Sequence, residues 1–159
     1  LPTTLTRTMP TLAQNRRARH DYHILETFEA GIALSGPEVK AIKRGTISLH
    51  GAYARIDRGG NAWLVGCHIA PYPPAAGSQR DYQPTRERRL LLKRPQLNGL
   101  VGTLKQPGLT FLPISVYTKG SLIKVELGVG RGKKQFDKRA AIKRREIERE
   151  IRSRMGRRR

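Results

Sequence analysis

Cysteine occurs once in this chain of 159 residues, at Cys67, which rules out an internal disulfide or a thiolate metal cluster. A reducing compartment suits such a chain. Aromatic residues make up only 6%, too few for ring stacking to supply most of the affinity for a nucleic acid. No apolar run approaches the roughly 20 residues that cross a bilayer. Residues 1–14 lack the basic-then-apolar order of a secretory signal. We therefore expect a soluble, cytoplasmic protein with no membrane partner. Acidic residues are scarce as well: 12 Asp and Glu stand against 32 Lys and Arg, a net charge of +20. That surplus repels itself on compaction and attracts polyanions. Folded nucleic acid, held by phosphate contacts and shape, is the first partner to consider.

Catalytic patterns are missing too. His20, His23, His50 and His68 are scattered and form no His-Glu-x-x-His pair, so no metal site is expected. Ser, His and Asp occur without a Gly-x-Ser-x-Gly elbow. The run Gly128-Val-Gly130-Arg-Gly132-Lys133 lacks the spacer and the closing Ser or Thr of a phosphate loop, and reads as a hinge. The chain is expected to bind without turnover and without a cofactor.

What is present is a β-rich pattern. Residues 1–14, rich in Thr and Pro, read as a flexible lead-in. Asn15 to His20 packs three arginines and a histidine into a basic collar, either a solvated basic turn or, from its place beside a strand start and as the favoured reading, a set of arginines aimed at phosphate. Tyr22 to Leu34 reads as a long strand bent at Gly31. Ser35-Gly-Pro-Glu38 has capping-box spacing, Val39 and Ile42 give an apolar face, and Gly45 stops a short helix whose outer side carries Lys40, Lys43 and Arg44. Ala52–Ile56 and Ala62–Ile69 form a hairpin around Asp57-Arg-Gly-Gly-Asn61. Residues 70–88 read as a long surface loop with Arg86, Arg88 and Arg89 at its far end, and a short run at Leu90–Leu92 follows. Pro95 then opens a helix bearing Leu97, Leu100, Val101 and Leu104. Thr110–Thr118 and Leu122–Val129 form the clearest hairpin. Together these elements predict a mainly β fold, a small antiparallel OB-like barrel of about six strands with two or three short helices, over residues 15–130.

Two residues keep two readings. Glu29 is either a solvent-facing strand residue or an acceptor for a base amino group or an arginine. Leu91 is either core or the support of an unstacked base.

Residues 131–159 hold 14 basic and 4 acidic residues, a net of +10. Ile147, Ile151 and Met155 fall four apart, with Ile142 five earlier, on a helix-prone sequence. So thin a stripe makes the helix marginal alone, and we expect it to order against RNA. Its cations Lys133, Lys134, Lys138, Arg139, Lys143, Arg144, Arg145, Arg149 and Arg152 spread around the axis, which suits a channel walled by phosphates.

Five strings in one order carry a family resemblance: Asn15-Arg-Arg-Ala-Arg-His-Asp-Tyr22, Phe28-Glu-Ala-Gly31, Gly36-Pro-Glu-Val-Lys40, Arg89-Leu-Leu-Leu92 and Gly132-Lys-Lys-Gln-Phe-Asp-Lys-Arg139. With them, the chain resembles the small protein B (SmpB) family over roughly residues 15 to 145. The resemblance implies an OB-like barrel that binds the tRNA-like domain of transfer-messenger RNA and enters stalled ribosomes with it. It places Arg17, Arg19, His20, Glu29 and Leu91 on the RNA-facing surface, extended to Lys40, Lys43 and Lys93. Lys93 stands where many relatives carry Asn or His, and its charge favours phosphate over a base contact. Gly132, Lys133, Lys134, Asp137, Lys138 and Arg139 would begin a ribosome-binding tail, with Asp137 to Arg139 at the small-subunit decoding centre. The helix beyond would fill the empty messenger channel. Elongation factor Tu would be an indirect partner, through the RNA. A general RNA-chaperone OB protein would share the barrel and charge without preferring tRNA-like folds.

Overall fold

The alternation of Ile123, Val125, Leu127 and Val129 becomes the buried side of strand β9, Leu122–Gly132. The fold is a computed structural model that describes residues 10–78 and 80–157, apart from the side chains of 76, 78, 135–138 and 157. β9 pairs on one side with β8, Leu109–Lys119, turning at Gly120, whose φ of +62° suits a residue without Cβ. On its other side it pairs with β2, Tyr22–Ile32. β2 passes the sheet to β7, Arg88–Leu91, which pairs with β5, Ala62–Val65, and β5 with β4, Tyr53–Ile56. The seven-stranded antiparallel sheet has the order β1-β8-β9-β2-β7-β5-β4, where β1 is Thr11–Gln14. A two-residue ladder joins β3, Ile47–Ser48, to β6, His68–Ile69.

The mainly β class agrees with the sequence reading, while the details differ. Nine strands are found among the described residues instead of about six. Gly66, at φ +76°, breaks the expected run Ala62–Ile69 into β5 and β6. Residues 11–14 were expected in a flexible lead-in but form edge strand β1, because Leu12 and Ala13 pack on the core and β8 offers a free edge. Residues 1–9 of that lead-in lie outside the described residues. Nor is the sheet a closed ladder. β4 lies alongside β8 without being its hydrogen-bonded neighbour, because β8 has one edge taken by β9 and part of the other by β1. The bend in β2 is a register shift between Ile24 and Glu26, whereas Gly31 stays in the ladder opposite Leu91 and Lys124. Gly128 to Gly132 form strand rather than hinge. A Cβ at Gly130 would stand 3.0 Å from the Tyr22 Cβ, so glycine here allows a close crossing.

Three short helices cover the sheet. The collar is a helix, α1 (Arg16–Asp21), whose buried Ala18 packs on Leu112 and Ile114. α2 (Gly36–Lys43) has the expected capping box: the Glu38 N–H donates to Ser35 Oγ at 3.4 Å and the Ser35 N–H to Glu38 Oε1 at 3.0 Å. Its Ala41 and Ile42 enter the main core. α3 (Arg94–Thr103) buries Leu97 and Leu100.

A buried ion network fixes α2 to the sheet. Arg88, read from sequence as one of three surface arginines, has no exposed area, and Glu38 is 1% exposed. Arg88 Nε donates to Glu38 Oε2 at 2.6 Å, and its Nη atoms donate to the carbonyls of Cys67, Pro84 and Arg86 and to the Tyr82 hydroxyl. Arg86 closes on the other carboxylate oxygen. Burial works against the Glu38 charge, but Arg86, the Ser35 N–H and Arg88 outweigh it and hold the carboxyl down to about 2.

Candidate nucleic-acid interface

Strand register decides which of the expected residues meet. Gly31 lies opposite Leu91 on one side and Lys124 on the other, and Lys124 lies opposite Tyr117. Glu29, two residues before Gly31, shares that face by the two-residue period of a strand. Its carboxylate accepts from the Tyr117 hydroxyl, and from Lys119 Nζ at 3.1 Å. The Tyr117 hydrogen bond above all, then Lys119 against some burial, draws the Glu29 carboxyl below its usual range. Burial and the Glu29 charge push the Tyr117 hydroxyl up. Glu29 is thus a solvent-facing strand residue, as the first of its two readings had it, and within the protein its carboxylate accepts from Tyr117 and Lys119 rather than from an arginine. Leu91 is 53% exposed, which settles it as a surface residue. The Gly31 face admits it closely: a Cβ on Gly31 would lie 3.3 Å from Leu91 Cβ. Lys93, two residues on, is exposed at the start of α3.

The face therefore joins Glu29, Leu91 and Lys124, with Tyr117 and Lys119 at its side. Sequence reading missed Lys124, Tyr117 and Lys119, although the period of β9 already set Lys124 apart from the buried Ile123 and Val125.

The other expected residues form separate groups. Arg17 and Arg19 are exposed on α1 and His20 is half-buried, with its Nδ1 2.7 Å from Asp21 Oδ1. α1 meets the far end of β2, seven residues from Glu29, or roughly 23 Å of strand. Lys40 and Lys43 are exposed on α2, where Lys40 Nζ and the Arg44 guanidinium lie 5.6 and 5.1 Å from the Tyr72 ring centre.

The tail is rooted at α1. Gly132 ends β9 opposite Tyr22, the Lys133 N–H donates to the Asp21 carbonyl at 2.8 Å, and Lys133 Nζ donates to the Arg19 carbonyl at 3.1 Å. Lys134 is exposed, and α4 (Gln135–Arg157) follows as one helix. Arg139, Lys143, Arg144, Arg145, Arg149 and Arg152 are all exposed along it. Asp137 and Lys138 lie within the helix, with side chains outside those described. Ile142, Ile147, Ile151 and Met155 are exposed too, so the apolar stripe finds no core.

Among the described residues no group of three His, Cys, Asp or Glu side chains could hold a metal, and no helix is long and apolar enough to cross a membrane. A basic antiparallel sheet with a mixed polar face, an arginine-bearing helix at one end and a cationic helical arm define a polyanion-binding protein of the RNA-binding kind. The chain belongs to the SmpB protein family, whose pattern it matches over residues 12–157. It is 52% identical over 145 residues to the SsrA-binding protein of Coprothermobacter proteolyticus, covering 91% of this chain and 95% of that one. It is 47% identical over 140 residues to the SsrA-binding protein of Enterococcus faecalis, covering 88% and 89%. A solved structure described as "tmRNA-SmpB: a journey to the center of the bacterial ribosome" superposes with a TM-score of 0.62 at 46% identity, over 77% of this chain and 84% of the other.

Proposed function

We propose that this protein binds the tRNA-like domain of transfer-messenger RNA and brings it to stalled ribosomes to begin trans-translation. The observation that carries the reading is near-full-length similarity to SsrA-binding proteins in a chain whose cations are divided between a folded body and an exposed helical arm. In this reading the body binds RNA through the Glu29, Leu91 and Lys124 face, with Lys93 beside it, and through Arg17, Arg19 and His20 on α1. Lys40 and Lys43 extend the cationic surface. The sheet acts as an OB-like barrel with its seam between β4 and β8.

The tail serves the ribosome. Asp137, Lys138 and Arg139 meet small-subunit RNA at the decoding centre, and α4 beyond them fills the empty messenger channel. Gly132, Lys133 and Lys134 set its starting direction. The exposed apolar stripe and the like charges of α4 are what a helix held by phosphates, rather than by its own core, would carry. Elongation factor Tu joins through the RNA, and the protein works in the cytoplasm without turnover.

Competition binding of the full chain tests this against the RNA-chaperone alternative, at one fixed physiological salt concentration. Transfer-messenger RNA should displace ordinary tRNA and an unrelated hairpin at well below their own concentrations. Equal competition by all three would support the chaperone reading instead.

A further inference from the structure

Tyr53, 47% exposed, is the only Phe, Trp or Tyr among the described side chains that is exposed to solvent. It sits at the first position of β4, where that strand lies against β8 without a hydrogen-bonded ladder. The ring opens onto a cleft of about 380 Å³ between α1 and the start of β4. Ala18, Ala52 and Leu112 give the cleft an apolar lining, Tyr22 stands in its wall beside them, and Arg17 borders it from α1. The volume lies within the range of about 300–1,000 Å³ typical of small-ligand sites.

Three features converge on one kind of occupant. The inner lining offers apolar and aromatic surface with Asn15, Asp21 and Thr110 among it, a mixture that suits a flat ring edged with hydrogen-bonding groups more than a phosphate. Arg17 borders the cleft, and Arg16 and Arg19 are exposed on the same short helix, so a polyanion strand held by α1 would pass near its mouth. In a chain with so few aromatics, an exposed tyrosine on a cleft that Arg17 borders has the pairing of stacking surface and backbone grip that single-stranded RNA sites use.

We propose that this cleft receives one unstacked nucleobase of the RNA held by α1, with Tyr53 as the stacking surface and Arg17 on the adjoining phosphate. The inference rests on the RNA-binding reading above and adds a base-accepting site distinct from the Glu29 and Leu91 face. The base belongs either to the tRNA-like domain or to ribosomal RNA, and both present the same chemistry to the cleft.

The test uses the full chain and its Tyr53→Phe, Tyr53→Leu, Tyr53→Ala and Arg17→Ala variants. Affinity is measured across a salt series for the isolated tRNA-like domain and, separately, for small ribosomal subunits, with a thermal melt of each variant. Tyr53→Phe should bind within about twofold of the parent. Tyr53→Ala and Tyr53→Leu should lose about 5- to 150-fold on at least one RNA, the range of one lost stack, with the salt slope unchanged. Arg17→Ala should reduce that slope by about one. A loss on the tRNA-like domain assigns the base to transfer-messenger RNA, and a loss on the subunit alone assigns it to ribosomal RNA.

The proposal is overturned if Tyr53→Leu, melting like the parent, binds both RNAs as the parent does, or if Tyr53→Phe is as weak as Tyr53→Ala. Failure of the RNA-binding reading looks different: the parent itself would then bind the tRNA-like domain no better than an unrelated hairpin.

Discussion

Glu38 and Arg88 stand 50 residues apart in sequence and meet out of reach of water. Removing one partner of a buried pair leaves the other charge without compensation. Arg88→Met is therefore expected to lower stability by about 3–5 kcal/mol in urea unfolding, and a loss below about 1 kcal/mol would contradict the network's role. The pH dependence has a definite sign. The folded-state value of Glu38 is about 2, below its ordinary 4.5. Its contribution is present above about pH 4.5 and is lost as the pH falls towards 2, on the order of 3 kcal/mol in all. Melts of Glu38→Gln should lack that part of the acid slope. Cys67 supplies an independent check on the same region. Burial pushes its thiol up to about 11, so iodoacetamide should label it only after unfolding. Rapid labelling of the native protein would show that the core around Cys67 opens readily.

Elements were legible where periodicity was strong. The β8–β9 hairpin, α2 with its capping box and α3 behind Pro95 all stand where the apolar spacing put them. β1 and the β3–β6 ladder were not, because β3 and β6 have two residues each, too few to carry a period, and β1 stands in a stretch rich in Thr and Pro. The collar's helical state was hidden for a similar reason: α1 is six residues long and is held mainly by one buried alanine. The glycines of β9 were misread as a hinge because composition does not report what lies across the sheet. A Cβ at Gly130 meets the Cβ of Tyr22 at 3.0 Å and the His23 carbonyl at 3.4 Å, whereas one at Gly132 meets nothing within 4 Å. Gly130→Ala should cost about 1–3 kcal/mol by overpacking, and Gly132→Ala should stay within about 0.5 kcal/mol. Equal effects in paired thermal melts would argue against the close crossing.

At the scale of the whole molecule, composition told the partner class, and five short strings told the family. The site was legible only in part. Glu29 and Leu91 came from the strings, but their union with Lys124 and Tyr117 depends on the registers of β2, β7, β8 and β9, which no local pattern fixes. Arg88 was misplaced because nothing near it in sequence announces a partner as distant as Glu38. What the assembled chain presents is a folded body and an exposed cationic arm, and the function proposed above gives the RNA to the first and the ribosome to the second. The arm leaves the body beside α1 through Lys133. The most direct measurement compares the full chain with one ending at Lys134, which retains all of β9. Peptide tagging is followed on stalled ribosomes with both proteins saturating transfer-messenger RNA. The account predicts that the shortened chain still saturates the RNA and yet supports no tagging. Tagging at the full chain's level by the shortened protein would contradict it.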